Sequence, residues 1–389
     1  MRRLRFLFME AFFGGSHREF ALGWAENSRH EIRLLTLPAR FWKWRMRGAA
    51  LCFINDPACS PKAYDGCIAS NMMSLSDFKS LAGKNCPPLL LYFHENQFAY
   101  PLRPGERMDY QYGFTDITSA LAADRVIFNS HYHYRTFFSA LPAFLKRMPE
   151  FRPVWVADAI RSRSQVLYPG CRFPDLAQPD LIQKYPAQKV PESEGNTGES
   201  GEHSGEPPLI IWNHRWEFDK APDIFFAALD RVLEKGADFR LALMGENYRN
   251  IPAVFPAAKE RYGGRLVLYG YVKNRPEYLS VLRRGDIAVS TAVQENFGIS
   301  VVEAVRCGCI PLLPDRLSYP EILPEEFHKE FLYKDEADLT EKLYRMLGDF
   351  APCRKRGRQT AAAMRRFAWE NMIDAYDDML EELASLRSC

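Results

Sequence analysis

The chain has 389 residues, 26% of them charged, and a formal net charge of +2 at pH 7. That length predicts two domains with a core each, and the near-balanced charge leaves the partners to be read from where the charges sit. No run approaches the ~18 apolar residues that span a bilayer, and the nine cysteines form no CxxC pair, which excludes a structural zinc site and predicts reduced, cytosolic thiols.

In chain order, Met-Arg-Arg-Leu-Arg followed by Phe6-Leu7-Phe8 imitates a secretory leader. Glu10 interrupts the apolar run and no small-residue cleavage site follows, so residues 4–12 are predicted as a first strand entering the glycine loop Gly14-Gly15. Glycines there let backbone approach a ligand, and a helix starting near His17 offers its N-terminus; a mere tight turn is the other reading. Residues 32–37 form a second predicted strand. Then come Arg40, Phe41, Trp42, Lys43, Trp44, Arg45 and Arg47, cations alternating with rings. Two readings stay open: contact with unpaired RNA bases and phosphates, or an amphipathic helix with a solvated basic face. Residues 64–70 and 88–93 read as further strands, the second ending at His94-Glu95-Asn96-Gln97. Catalytic groups in open parallel sheets sit just past strand C-termini, so His94, Asn96 and Gln97 are candidates for sugar or acceptor contact, with Asp109–Gly113 lining the same cleft. A structural His94 is the alternative. Residues 125–129 make another strand, with Ser130 ready to cap a helix. His131 and His133 lack a third ligand, so no metal is assigned there.

Residues 164–169 close a first domain, 1–175. The stretch 176–207 is rich in Gly, Glu and Ser and reads as a disordered linker or insertion. A second domain, 208–365, opens with a strand at 209–213. Arg215 and Lys220 follow it and precede a helix, so both are candidates to face a diphosphate. Strand 239–244 leads to Gly245, and 266–268 leads to Gly270, Tyr271 and Val272. Residues 286–291 are a strand, 292–297 a loop carrying Glu295, and Gly298 opens a helix through residue 307. Free N–H groups around Gly298 and Ile299 suit a phosphate. Glu303 lies about 7.5 Å further along that helix, the scale of one sugar beside a diphosphate. A helix with one N-terminal glutamate and one solvent-facing glutamate is the alternative. The last helical pattern runs from about 356 to 386.

The block from Gly270 through Phe297-Gly298 to Glu303-Ala304 resembles family 4 glycosyltransferases. That resemblance implies the GT-B fold: α/β, two Rossmann-like doubly wound domains facing a cleft, with a C-terminal helix (366–389) crossing back to the first domain. Four further stretches resemble the queuosine-tRNA mannosyltransferases: EAFFGGSH at 10–17, LPARFWKWR at 37–45, YFHENQ at 92–97 and NHRWEFDK at 213–220. This closer resemblance implies transfer of mannose from GDP-mannose to queuosine in the anticodon of tRNA(Asp), with retention. It also implies roles. Arg215, Lys220, Glu295 and His94 are catalytic. Gly14, Gly15, Gly245, Tyr271, Val272, Phe297, Gly298, Ile299 and Glu303 bind the donor. His17, the basic stretch Arg40 to Arg47, Asn96 and Gln97 face the tRNA. No Asp-x-Asp motif is present, so neither a metal nor another cofactor is expected, nor is a membrane partner. The competing class is a noncatalytic RNA-binding protein on the same scaffold. A dehydrogenase is disfavoured because no G-x-G-x-x-G follows the first strand.

Overall fold

The computed structural model describes residues 2–102, 105–173, 206–246 and 251–388. The chain divides into two compact units, Met1–Arg172 with Arg366–Cys389, and Phe173–Arg365. In the first, strands β1 (Arg5–Phe13), β2 (Glu31–Pro38), β3 (Gly66–Ser70), β4 (Leu89–Phe93), β5 (Arg125–Phe128) and β6 (Ser164–Val166) form a sheet ordered β2-β1-β3-β4-β5-β6. All its pairings are parallel. Helices α1 (Gly15–Asn27), α2 (Trp42–Ile54), α3 (Leu75–Ala82), α4 (Tyr110–Ala122), α5 (His131–Leu145) and α6 (Val156–Arg161) connect them.

The second unit repeats the plan. Strands β7 (Leu209–Trp212), β8 (Arg240–Met244), β9 (Leu266–Gly270), β10 (Ile287–Val289), β11 (Ile310–Pro314) and β12 (Leu332–Tyr333) run parallel in the order β12-β11-β10-β7-β8-β9. Its helices are α7 (Pro222–Glu234), α8 (Val254–Tyr262), α9 (Arg275–Arg284), α10 (Ile299–Arg306), α11 (Tyr319–Ile322), α12 (His328–Phe331), α13 (Glu336–Gly348) and α14 (Phe350–Ala363). Strands such as LLLYF of β4 and LIIW of β7 are buried at every position. Helices cover both faces, so these segments read as continuous apolar runs rather than alternating ones.

The two-residue period of β1 divides the first core. Leu7, Met9 and Ala11 join one cluster, and Phe6 and Phe8 join another with Phe20, Trp24, Tyr92, Trp369 and Tyr376. That second face is closed by α1 and by the last helix, α15 (Trp369–Ser385). The predicted single helix over 356–386 is interrupted by a turn at Met364–Phe367. The cause is backbone competition: Phe367 O accepts from Cys171 N–H at 2.7 Å, and Trp369 N–H donates to Cys171 O at 3.3 Å. Those groups are taken by the end of the first unit's main segment, so the helical ladder breaks where the chain returns to that unit. Of the predicted linker 176–207, residues 176–205 lie outside the described residues. No described helix is long and apolar enough to cross a membrane.

Candidate active site

In each sheet the strand order reverses at one point, and ligands of open α/β sheets sit beyond the strand C-termini there. In the second unit this point lies between β7 and β10. The segment after β7 carries Asn213 to Lys220, and the loop after β10 carries Glu295. Lys220 is buried. Its Nζ donates to Gln294 O at 2.6 Å and Glu295 Oε2 at 3.3 Å, and it lies 3.2 Å from Asp219 Oδ2. Burial works against the ammonium, but Glu295 and Asp219 outweigh it and hold Lys220 above the ordinary lysine range. The turn carrying Lys220 is tied to the β10 loop, with Val293 N–H donating to Asp219 O at 2.8 Å and Thr291 Oγ1 to Lys220 O at 2.8 Å.

One helix further, Gly298 caps α10 with φ +98°, a left-handed conformation that favours glycine. Glu303 on α10 is buried rather than solvent-facing. Its Oε1 accepts from Arg275 Nη2 at 2.7 Å and its Oε2 from Tyr278 Oη at 3.1 Å. Tyr278 Oη in turn accepts from Asn213 Nδ2 at 3.0 Å. Burial, then the Glu303 charge, pushes the Tyr278 hydroxyl well above its ordinary range, so it stays a donor. Burial and then Lys220 lower His214 to about 4, leaving it neutral.

The remaining candidates of this unit occupy varied settings. Arg215 is partly exposed and 3.4 Å from Glu217 Oε1. Tyr271 is half-exposed, and Val272 packs against the core of the sheet. Phe297 is buried, so its ring belongs to the core and its backbone alone is available to a ligand. Ile299 is half-buried. A Cβ on Gly245 would stand 1.9 Å from His214 O, so packing alone requires glycine there. The structure thus brings Lys220 and Glu295 into contact and adds Asp219, Arg275 and Tyr278, to which the sequence reading assigned no role.

In the first unit the strand order reverses beside β1 and β3. Glu10 follows Phe6 and Phe8 on one face of β1 and is fully buried. Its Oε1 accepts from Phe12 N–H at 2.8 Å and Ser70 Oγ at 2.9 Å. Its Oε2 lies 3.3 Å from His17 Nδ1 and 3.9 Å from His94 Nε2. The two imidazoles are 3.9 Å apart between centroids. Burial, then His17 and His133, keeps His94 well below the ordinary histidine range. These three side chains place ligand atoms within 4.8 Å of one another, a spacing that suits either a shared proton or a divalent metal. The glycine turn that presents His17 has Gly15 at φ +49°, and a Cβ on Gly14 would meet Ala39 Cβ at 2.4 Å.

Asn96 departs from its predicted acceptor role: it is buried and its Oδ1 accepts from Ala99 N–H at 2.9 Å, bracing the loop. Gln97 is half-buried, with its backbone N–H on Asp116 Oδ2 at 2.8 Å and its amide on Glu95 Oε1 at 2.9 Å. Asn129 Oδ1 accepts from His133 Nδ1 at 2.8 Å. The basic stretch is the start of α2. Trp42 packs on the core and on Tyr112, with ring centroids 5.0 Å apart. Arg47 donates to Thr115 Oγ1 at 3.1 Å, and Arg45 is half-buried. Arg40, Phe41, Lys43 and Trp44 face solvent. The segment is therefore a helix start with one packed side and one free, aromatic and cationic side.

Residues 5–171 match the family model described as tRNA-queuosine alpha-mannosyltransferase N-terminal, and residues 196–363 match glycosyl transferases group 1. A tRNA-queuosine alpha-mannosyltransferase of Drosophila melanogaster is 38% identical over 347 residues, 87% of this chain and 85% of that protein. A GDP-mannose:cellobiosyl-diphosphopolyprenol alpha-mannosyltransferase of Xanthomonas oryzae is 24% identical over 172 residues, 43% of this chain and 45% of that one. Among solved structures, sucrose-phosphate synthase from Thermosynechococcus elongatus aligns with a TM-score of 0.72 at 16% identity, covering 99% and 100% of the two chains. HepE of Anabaena in complex with UDP gives 0.64 at 15% identity, covering 97% and 100%. At their low identity these two speak to the fold alone, and they agree with the two parallel sheets in making it GT-B. The high identity to the Drosophila protein across most of both chains shows that this chain belongs to the tRNA-queuosine alpha-mannosyltransferase family of glycosyltransferases.

Proposed function

We propose that this protein transfers mannose from GDP-mannose to the cyclopentenediol of queuosine in the anticodon of tRNA(Asp), in the cytoplasm and with retention at the anomeric carbon. The observation that carries the reading is the 38% identity to an enzyme named for the queuosine-tRNA reaction. The more distant relative named for a GDP-mannose donor supports the choice of nucleotide sugar. In this reading the diphosphate meets the N-terminus of α10 and the cations Arg215 and Lys220. Preorganised positive charge there stabilises the negative charge that develops on the leaving group. Lys220 also orients Glu295, 3.3 Å away, toward the mannose hydroxyls. Glu303 binds the ribose and Tyr271-Val272 border the guanine. His94, neutral and backed by Glu10, contacts the sugar near its C6 hydroxyl. His17 and the free side of α2 face the tRNA. The cation clamp makes a metal unnecessary for departure of the diphosphate.

Mass analysis of tRNA nucleosides after incubation with a panel of nucleotide sugars tests this reading. A hexose added to queuosine from GDP-mannose alone is expected. Transfer from a uridine nucleotide, or to a nucleoside other than queuosine, would overturn the donor or the acceptor assignment.

A further inference from the structure

We propose that the tRNA-binding surface extends beyond α2, across the first turn of α4, to the loop that follows α5, and that Phe151 and Trp155 stack there on unpaired bases while Lys146, Arg147 and Arg152 hold phosphates. The proposal rests on the tRNA acceptor reading above. Three observations carry it. The first is exposure: Phe151 is 87% exposed, Val154 76% and Trp155 61%, in a segment ordered by Pro153 and the start of α6. Soluble proteins seldom leave clustered large apolar side chains in water without a partner for them.

The second is backbone conformation. Among the described residues, four non-glycine residues have positive φ, and two of them are exposed phenylalanines, Phe41 (+56°) and Phe151 (+51°). A left-handed phenylalanine whose ring is solvated recovers none of its strain by packing, which is the mark of a residue held for recognition. The third is charge. Lys146, Arg147 and Arg152 are exposed beside these rings, with Glu150 the single acid among residues 146–152. That mixture of cations and rings fits a nucleic acid better than a second protein or an apolar surface.

Contacts link this patch to the free side of α2. Lys43 Nζ lies 5.5 Å from the Trp42 ring and 5.7 Å from the Tyr112 ring. Two residues earlier on α4, the half-exposed Tyr110 carries the Arg147 guanidinium 6.0 Å above its ring. Arg147 also donates to Met108 Sδ at 3.3 Å. Residues two apart lie on opposite sides of a helix, so the two groups flank one helical turn about 10 Å across, a span of a few nucleotides. Asp109, Tyr110 and Gln111 at the start of that turn are exposed, so the surface continues around the end of α4 from one group to the other.

The test uses the full chain and queuosine-containing tRNA, with two double variants, Phe151→Ser/Trp155→Ser and Arg147→Gln/Arg152→Gln. The aromatic pair is expected to weaken tRNA affinity tenfold or more and to leave GDP-mannose binding and the thermal midpoint unchanged. The arginine pair is expected to lower the slope of log affinity against log salt by about 1.4, the value for two phosphate contacts to a single strand. Unchanged tRNA affinity in the folded aromatic variant together with an unchanged salt slope in the arginine variant would overturn the proposal. A shift in oligomeric state caused by the aromatic pair would also overturn it, by assigning the patch to a second copy. If the wild-type chain transferred no sugar to tRNA, the functional reading itself would fall. If the wild type modifies tRNA and both variants match it, only this surface falls.

Discussion

Glu10 is a carboxylate sealed inside a sheet, and each oxygen has its own work: Oε1 serves Phe12 N–H and Ser70, and Oε2 serves the two imidazoles. In Glu10→Gln the amide oxygen can keep Phe12 and Ser70, but the new NH2 must donate toward His17 Nδ1 and so reverses which group carries the proton. We expect a nearly unchanged thermal midpoint and a fall in kcat of roughly 10²-fold or more; wild-type kcat would reduce Glu10 to a packing role. Glu303→Ala is expected to raise the donor KM more than it lowers kcat, by about 1.5–3 kcal/mol of binding, because a ribose contact is common to ground and transition states. Since Arg275 is its ion-pair partner, the Glu303→Ala/Arg275→Ala pair should be non-additive in calorimetric GDP-mannose affinity. Donor affinity that survives Glu303→Ala would remove this residue from the ribose site. Lys220→Met leaves Asp219 and Glu295 facing each other without their cation, so it should cost about 3–5 kcal/mol of stability as well as turnover. Wild-type activity should persist in EDTA; activity lost to EDTA and restored by a divalent ion would instead seat a metal, with Glu10, His17 and His94 the first residues to examine.

At the scale of elements, the strands were legible because residues buried on both faces leave continuous apolar runs, and their predicted limits lie within a few residues of the observed ones for β4, β5 and β7. What local sequence hid was company. Glu10 read only as an interruption of an apolar run; its alternation with Phe6 and Phe8 is the signal that it faces inward and needs partners. Arg275 carried no signal, since its partner Glu303 lies 28 residues away in the chain, and the contact between Lys220 and Glu295 spans 75 residues. Trp369 was visible as an apolar helix position, but not its seat. Its indole lies against Gly23 of α1 and against Gly170, where an added Cβ would come within 2.0 Å and 2.2 Å of it. Two glycines thus form the slot that docks α15 on the first sheet. Gly23→Ala should therefore destabilise the protein by about 1–3 kcal/mol through overpacking, and Trp369→Ala by about 3–5 kcal/mol through a cavity. Urea unfolding measures both, and an unaffected Gly23→Ala would mean that α15 does not seat there.

For the molecule as a whole, three imidazoles set the response to acid, His133 and His214 buried and His94 half-buried. Burial holds His133 down at about 3 and, with Lys220, His214 at about 4, while burial and its neighbouring histidines hold His94 well below the ordinary range. His133 and His214 are neutral in the folded chain at any pH above about 5, and His94 is held in the same direction, whereas their unfolded counterparts take a proton near pH 6.5. As pH falls below that value the unfolded state binds more protons than the folded one, so stability is full above about pH 6.5 and is lost going down. Asp116 acts in the opposite sense. Burial raises its carboxyl well above the ordinary range, so its contribution is present in acid and is lost as pH rises through the folded pKa. His133 and His214, both neutral in the fold across this range, predict a loss of about 3 kcal/mol per pH unit between roughly pH 6 and 4.5, which His94 steepens and Asp116 opposes. His133→Gln keeps a partner for Asn129 Oδ1 and should flatten that slope by about 1.4 kcal/mol per unit while costing little at neutral pH. Urea denaturation across this pH range decides the matter: a stability that stays level from neutrality into acid would mean that these imidazoles ionise within the fold, and the neutral His94 assumed at the sugar site would go with them.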